Sequence, residues 1–216
     1  MTYTVSKQTF VFQTIAVTVC IPSAEQVHQQ YLYNQQTNSY TPFPYWAKIW
    51  PSAIAMSTFL SNHIGYYREK NVLELAAGLG LPSLVAAANA TKVVCSDYMA
   101  EPLAIVAKSI AENKQYAHMT CTLLNWEYLP ENLQTDVLLL SDVNYHPAAF
   151  SHLYQLIQRF IDQNTTIILA TPQRLAAKSF INSILAWCIQ QEVYTIDQTD
   201  ISVLVLQKSP TTASTQ

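Results

Sequence analysis

The chain has 216 residues, half of them hydrophobic and 12% charged, with a net charge of −3. That length suits one α/β domain with a substantial core, and the apolar content excludes an intrinsically disordered chain. Its 11 Lys and Arg are scattered, so no basic stripe is available to neutralise phosphates and nucleic acid is not an expected partner.

In chain order, residues 9–21 alternate Phe10, Phe12, Ile15, Val17, Val19 and Ile21 with polar or small residues. This predicts a β-hairpin or edge strands. The uncharged run 8–24 therefore does not read as a signal peptide, although Lys7 precedes it. A short helix is expected over 24–33 and a polar, Pro-containing loop over 35–44. Pro51 then opens an apolar helix over 52–60, from a position where its missing N–H costs nothing. Residues 1–44 form an accessory to the one core at 45–208.

From about residue 71 the pattern changes. Apolar runs at 72–75, 92–96, 119–124, 137–141 and 166–170 read as strands. Helical candidates at 83–90, 101–113, 148–161 and 175–190 follow the first, second, fourth and fifth of them. Helix 101–113 carries Leu103, Val106, Ala107 and Ile110 on one face. Buried strands separated by helices indicate βαβ units and a parallel sheet covered on both faces. The ending breaks the alternation: runs 192–196 and 201–206 are joined only by 197–200, a link short enough only for antiparallel neighbours. The small, polar tail 209–216 is expected to fray.

Cys20, Cys95, Cys121 and Cys188 are widely spaced with no CxxC, and the five histidines form no HxxxH pair. Neither a disulfide framework nor a metal site is expected, and a reducing, cytoplasmic setting fits. The run 75–91 is broken by Gly78, Gly80 and Pro82 and is too short to span a bilayer, so no membrane partner is expected. The expected state is a monomer.

The chain has only three glycines, and two of them, Gly78 and Gly80, stand in Val72-Leu73-Glu74-Leu75-Ala76-Ala77-Gly78-Leu79-Gly80-Leu81-Pro82. This segment joins a strand to a helix at the turn where open α/β sheets bind nucleotides. Glycine there permits positive φ and close backbone approach. The dinucleotide pattern G-x-G-x-x-G is missing, and no Gly-Lys-Ser/Thr follows. Instead Glu74 precedes the glycines, where it suits a zwitterionic amino-acid moiety better than a pyrophosphate. Asp97 ends the next strand about twenty residues later, placed to accept hydrogen bonds from two ribose hydroxyls; it could equally cap the helix near Glu101. Asn125 and Trp126, after the third strand, could flank an adenine ring, though a tryptophan is as readily core.

Together these residues resemble the class I, seven-β-strand S-adenosylmethionine (SAM) methyltransferases. More narrowly, the chain resembles the lysine methyltransferase group of the electron-transfer-flavoprotein β-subunit and valosin-containing-protein enzymes. Three segments carry the likeness, which covers roughly residues 44–207. They are Tyr45-Trp46-Ala47-Lys48-Ile49-Trp50-Pro51-Ser52, the loop 72–82, and Ser141-Asp142-Val143-Asn144-Tyr145, similar to the group's D-x-x-Y motif. The resemblance implies a Rossmann-like, mostly parallel seven-stranded sheet with helices on both faces and an antiparallel last strand. The N-terminal β-hairpin and helix extend it.

It implies SAM as cofactor, S-adenosylhomocysteine as product, and Trp50, Glu74, Ala76, Gly78, Gly80, Asp97, Asn125, Trp126 and Ser141 around the cofactor. Asp142 and Tyr145 would serve the acceptor, Asp142 orienting the amine and Tyr145 shaping its channel, although Asp142 could instead cap a helix near Pro147. His146 is a candidate base, and Trp46 a candidate wall. In one respect the chain departs from the group: Ala76 replaces the first loop glycine, which is tolerable at negative φ. The acceptor expected is a protein lysine. A small amine or heterocycle, or a SAM-binding module without catalysis, are the alternatives.

Overall fold

The computed structural model describes residues 3–37 and 41–208. An N-terminal hairpin pairs β1 (Val5–Phe12) with β2 (Ile15–Pro22) as a separate two-stranded sheet. Helix α1 (Ala24–Thr37) follows and buries only Val27, so Gln35, Gln36 and Thr37 are helical rather than part of a loop. Residues 38–40 and the expected frayed tail lie outside the described residues. Trp50 is extended, as the residue before a proline prefers, and Pro51 opens α2 (Pro51–Asn62).

The alternation then delivers β3 (Asn71–Leu75), α3 (Leu81–Ala86), β4 (Lys92–Asp97), α4 (Ala100–Glu112), β5 (Met119–Leu123) and β6 (Val137–Ser141). After these come α5 (Phe150–Asp162), β7 (Thr166–Pro172), α6 (Lys178–Ile184), β8 (Cys188–Ile196) and β9 (Thr199–Leu206). The seven strands of the main sheet are ordered β5-β4-β3-β6-β7-β9-β8, and only β9 runs against its neighbours. Its hairpin with β8 turns on Asp197 and Gln198 alone, both at positive φ, the two-residue geometry that matches strand twist.

The strands bury both faces because their residues do. In β6, Val137, Leu138, Leu139 and Leu140 are all fully buried, alternating between two cores. Val137 and Leu139 belong to the core shared with α2, α3, α4 and the N-terminal hairpin, whereas Leu138 and Leu140 belong to the core shared with α5 and α6. Helix α5 shows why it stays: Leu153, Leu156, Ile157, Phe160 and Ile161 form one buried stripe at helical spacing. The hairpin is tied to α4 by polar contacts as well. Ser109 Oγ accepts the Cys20 N–H at 2.9 Å, and Asn113 both accepts from Thr18 N and donates to Thr18 O.

One predicted element is corrected. The helix expected over 175–190 is a 3-10 turn, the seven-residue α6 and a second 3-10 turn ending at Trp187, and Cys188–Gln190 already belong to β8. Those residues are claimed by the ladder to β9, with a bulge between Cys188 and Gln190. Helix α3 is likewise shifted, from 83–90 to Leu81–Ala86.

Candidate active site

Strands β3 and β6 lie side by side, but their crossovers depart in opposite directions, to β4 and to β7. This is a topological switch point, where the carboxyl ends of parallel strands leave a crevice for a ligand. A cavity of about 370 Å³ opens there, within the range of small-molecule sites.

The loop after β3 forms its floor. Ala76, Gly78 and Gly80 all have positive φ, at 53°, 53° and 67°. The condition under which alanine would be strain-free, a negative φ, is not met: Ala76 takes a left-handed conformation at a cost of roughly 1–2 kcal/mol. The two glycines have different reasons. A Cβ on Gly78 would come within 3.6 Å of Trp46 Cα, so the Trp46 backbone roofs the loop. A Cβ on Gly80 would lie 2.9 Å from Cys95 Sγ and 3.2 Å from Val106. Gly80 thus allows loop, strand and helix to pack, besides lining the cavity. Burial pushes the Cys95 thiol up, so it acts as an inert packing group.

Glu74 projects from β3 toward the same cavity and is completely buried. Its Oε2 accepts the Ser83 N–H at 2.9 Å and the Ser83 hydroxyl, at the N-terminal turn of α3. Among the described residues its Oε1 has no hydrogen-bond partner. Burial raises this carboxyl to about 8, with Asp97 adding to the rise and the Ser83 bonds opposing it. A cation placed beside this oxygen would favour the ionised carboxylate and be accepted strongly by it.

Asp97 closes β4, 5% exposed, and is held in place by the main chain: Gly78 N–H reaches Oδ2 at 3.0 Å and Met99 N–H reaches Oδ1 at 3.1 Å. Burial raises it above the usual range, while the N–H groups of Met99, Gly78 and Tyr98 pull it down. It is not the N-cap of α4, where the structure shows no side-chain cap. Trp50, Trp126 and Ser141 complete this side of the lining. Asn125 is not among the cavity residues, and its Oδ1 accepts the Glu127 N–H at 2.9 Å in a local turn.

Across the cavity stands the segment after β6. Asp142 has φ 57° and donates its N–H to Ala170 O, fixing it to β7. Asn144 is buried and accepts the Thr171 hydroxyl at 2.7 Å. Asp142 Oδ1 pairs with Arg174 Nη1 at 2.6 Å, while the 3-10 turn at Pro147 has no side-chain cap. Tyr145 lines the mouth with its ring 5.6 Å from that of Tyr45. Partial burial, with Tyr45, Asp142 and Asp97 nearby, pushes its phenol up, so it stays protonated at neutral pH and can donate. His146 is not among the cavity residues.

Arg174, Lys48, Tyr45 and Phe43, which no sequence pattern singles out for a role, also line the cavity. The rings of Phe43, Tyr45 and Tyr145 follow one another along the cavity, and Tyr31 packs on Phe43 from outside the lining. Lys48 Nζ stands 3.6 Å above the Trp50 ring, whose N–H donates to Tyr45 O at 2.7 Å. A cation just past the carboxyl end of β7 was the signal available for Arg174.

Sheet order, acidic strand end, glycine loop and second acid define a class I SAM-methyltransferase fold. Solved structures agree on the fold. The 16S rRNA N2 G1207 methyltransferase RsmC of T. thermophilus superposes with TM-score 0.65 at 15% identity, covering 95% of this chain and 51% of that one. The N-methyltransferase NodS of Bradyrhizobium japonicum WM9, in complex with S-adenosyl-L-homocysteine, gives 0.61 at 12% identity over 83% and 98%.

Within that class the chain belongs to the lysine methyltransferase family, whose profile matches residues 36–187. It is similar to the protein-lysine methyltransferase METTL21E of Mus musculus, 32% identical over 58% of this chain and 55% of that protein. It is also similar to the protein N-terminal and lysine N-methyltransferase efm7 of Schizosaccharomyces pombe, 30% identical over 57% and 54%. The histone-arginine methyltransferase METTL23 of Homo sapiens is 26% identical over 55% and 65%. The chain spans about half to two thirds of the length of these relatives.

Proposed function

We propose that this protein is a SAM-dependent methyltransferase that N-methylates a lysine side chain of another protein. The observation that carries the reading is Glu74: fully buried at the cavity, with Ser83 on one oxygen and, among the described residues, no hydrogen-bond partner on the other. That unpartnered oxygen fits the ammonium of an amino-acid ligand and would repel a pyrophosphate. Asp97 fits the ribose hydroxyls, and Gly78 lets the main chain approach between them. Trp50, Ala76, Trp126 and Ser141 are assigned to the rest of the cofactor wall.

When bound, SAM supplies an electrophilic methyl group, so the chain's own residues have to bring a neutral amine in line with it and keep water away. A lysine amine titrates near 10.4 and must lose its proton on the way. Asp142 is assigned the orientation of the amine, and Tyr145 donates a hydrogen bond at the channel mouth. Arg174 neutralises Asp142, so the acid is prepared for an incoming amine without trapping it as a tightly paired ammonium. The names of METTL21E and efm7 support a protein lysine as acceptor. The four cysteines are free, which supports work in a reducing compartment such as the cytoplasm. No helix among the described residues is long and apolar enough to cross a membrane.

The test has two arms. Calorimetric titration should show SAM binding and no comparable NAD binding, and tighter NAD binding would remove the reading. Radiolabelled SAM in a same-organism lysate should place label in protein bands, at lysine. Label only in small molecules would mean a small-amine acceptor, and no label despite tight binding would mean a non-catalytic module.

A further inference from the structure

Beside the main cavity lies an outer groove, and four residues line both: Lys48, Trp50, Asp142 and Arg174. Three of these are assigned to the cofactor wall or the acceptor side. The fourth is a lysine. Its Nζ rests 3.6 Å above the Trp50 ring, and among the described residues it forms no ion pair, because Asp142 is taken by Arg174. Its backbone is not free to wander: two residues before it, Trp46 roofs Gly78, and two residues after it, Trp50 bonds Tyr45 O.

We propose that Lys48 is an intramolecular methyl acceptor: the protein methylates its own Lys48 when no other substrate fills the channel. The inference rests on the methyltransferase reading above. A primary amine tethered at the junction of the cofactor cavity and the acceptor groove has a high effective concentration there, the situation in which an intramolecular transfer outruns a bimolecular one. The Nζ first loses a proton to water. Its lone pair then forms the N–CH₃ bond while the C–S bond breaks, the electron pair passing to sulfur to leave neutral S-adenosylhomocysteine. A methylated ammonium over Trp50 keeps its charge and adds apolar surface, a combination that aromatic faces bind well.

The experiment uses the purified full chain, SAM with a labelled methyl group and no other acceptor. Expected are whole methyl increments in the intact mass, mapped to Lys48 by peptide sequencing, with the fraction of chains labelled per unit time unchanged on serial dilution. Lys48→Arg, which keeps a cation over the ring, should lose the increment entirely while SAM still binds by calorimetry. The proposal is overturned if the protein binds SAM and labels lysate proteins yet leaves Lys48 unmodified. It is equally overturned if the label sits on another residue, or if the fraction of chains labelled per unit time rises with protein concentration. Absence of SAM binding would instead bring down the methyltransferase reading itself, and this inference with it.

Discussion

Glu74→Gln should make the ligand-free protein more stable at alkaline pH and nearly blind to SAM. In the unfolded chain this carboxyl titrates near its ordinary value of 4.5, whereas burial holds it at about 8 in the fold. Between those values the unfolded state gives up its proton before the folded state does, so stability falls as pH rises. The stabilising contribution is complete below about 4.5 and is gone above about 8. At roughly 1.4 kcal/mol per pKa unit, the full swing amounts to about 5 kcal/mol. Asp97, shifted in the same direction by burial, adds a smaller slope that the variant retains. Urea midpoints at pH 5, 7 and 9 should therefore converge for wild type and variant at low pH and separate in the variant's favour at high pH. Saturating SAM should reverse the order, because a ligand ammonium on Oε1 stabilises the ionised carboxylate and is linked to folding by mass action. Parallel stability–pH curves for the two proteins, or equal stabilisation of both by SAM, would refute the argument.

Three other outcomes follow from the same geometry. Asp97→Ala should weaken SAM binding by about 10- to 100-fold, the worth of hydrogen bonds to a charged group, whereas Asp142→Ala should abolish transfer and change calorimetric SAM affinity little; equal losses of affinity would show the division of roles to be wrong. Ala76→Gly should raise stability by up to about 1 kcal/mol by relieving a left-handed alanine, less the entropy of glycine, while Gly80→Ala should lower it by about 2–4 kcal/mol through strain at φ 67° and the contact with Cys95. Thermal scans check both, and a pair of changes with the same sign contradicts the assignment. Arg174→Ala should destabilise by about 1–3 kcal/mol through the mostly buried, unpaired Asp142 and slow methyl transfer, with Arg174→Lys restoring part of the rate; an alanine variant as active as wild type would leave Arg174 without a role.

The parallel sheet was legible because β3, β4, β6 and β7 are continuous apolar runs, and the closing hairpin because its link is too short for a crossover. The cofactor side was legible because a glycine-poor chain places two glycines after one acidic strand end and an acid at the next. Other features depend on relations that no local pattern carries. Arg174 pairs with a residue 32 positions away. The sign of φ at Ala76 is set by the loop's path under Trp46, not by alanine's own preference. The turn in which Asn125 Oδ1 accepts the Glu127 N–H is likewise invisible in the sequence. The extra strand residues Cys188–Gln190 carry no helix breaker, and only pairing with β9 decides their state. The burial of Glu74, and with it the displaced titration, emerges only once α3 is packed over β3.

The roof over Gly78 joins two regions of the molecule that the chain visits some thirty residues apart, the stretch from Phe43 to Trp50 and the turn after β3. A bound nucleoside lying between them would act as a rivet. Amide protons across that stretch should exchange more slowly with ligand present than without it, even in residues that never touch the ligand. Such an exchange experiment would read the mobility of this roof rather than that of the sheet.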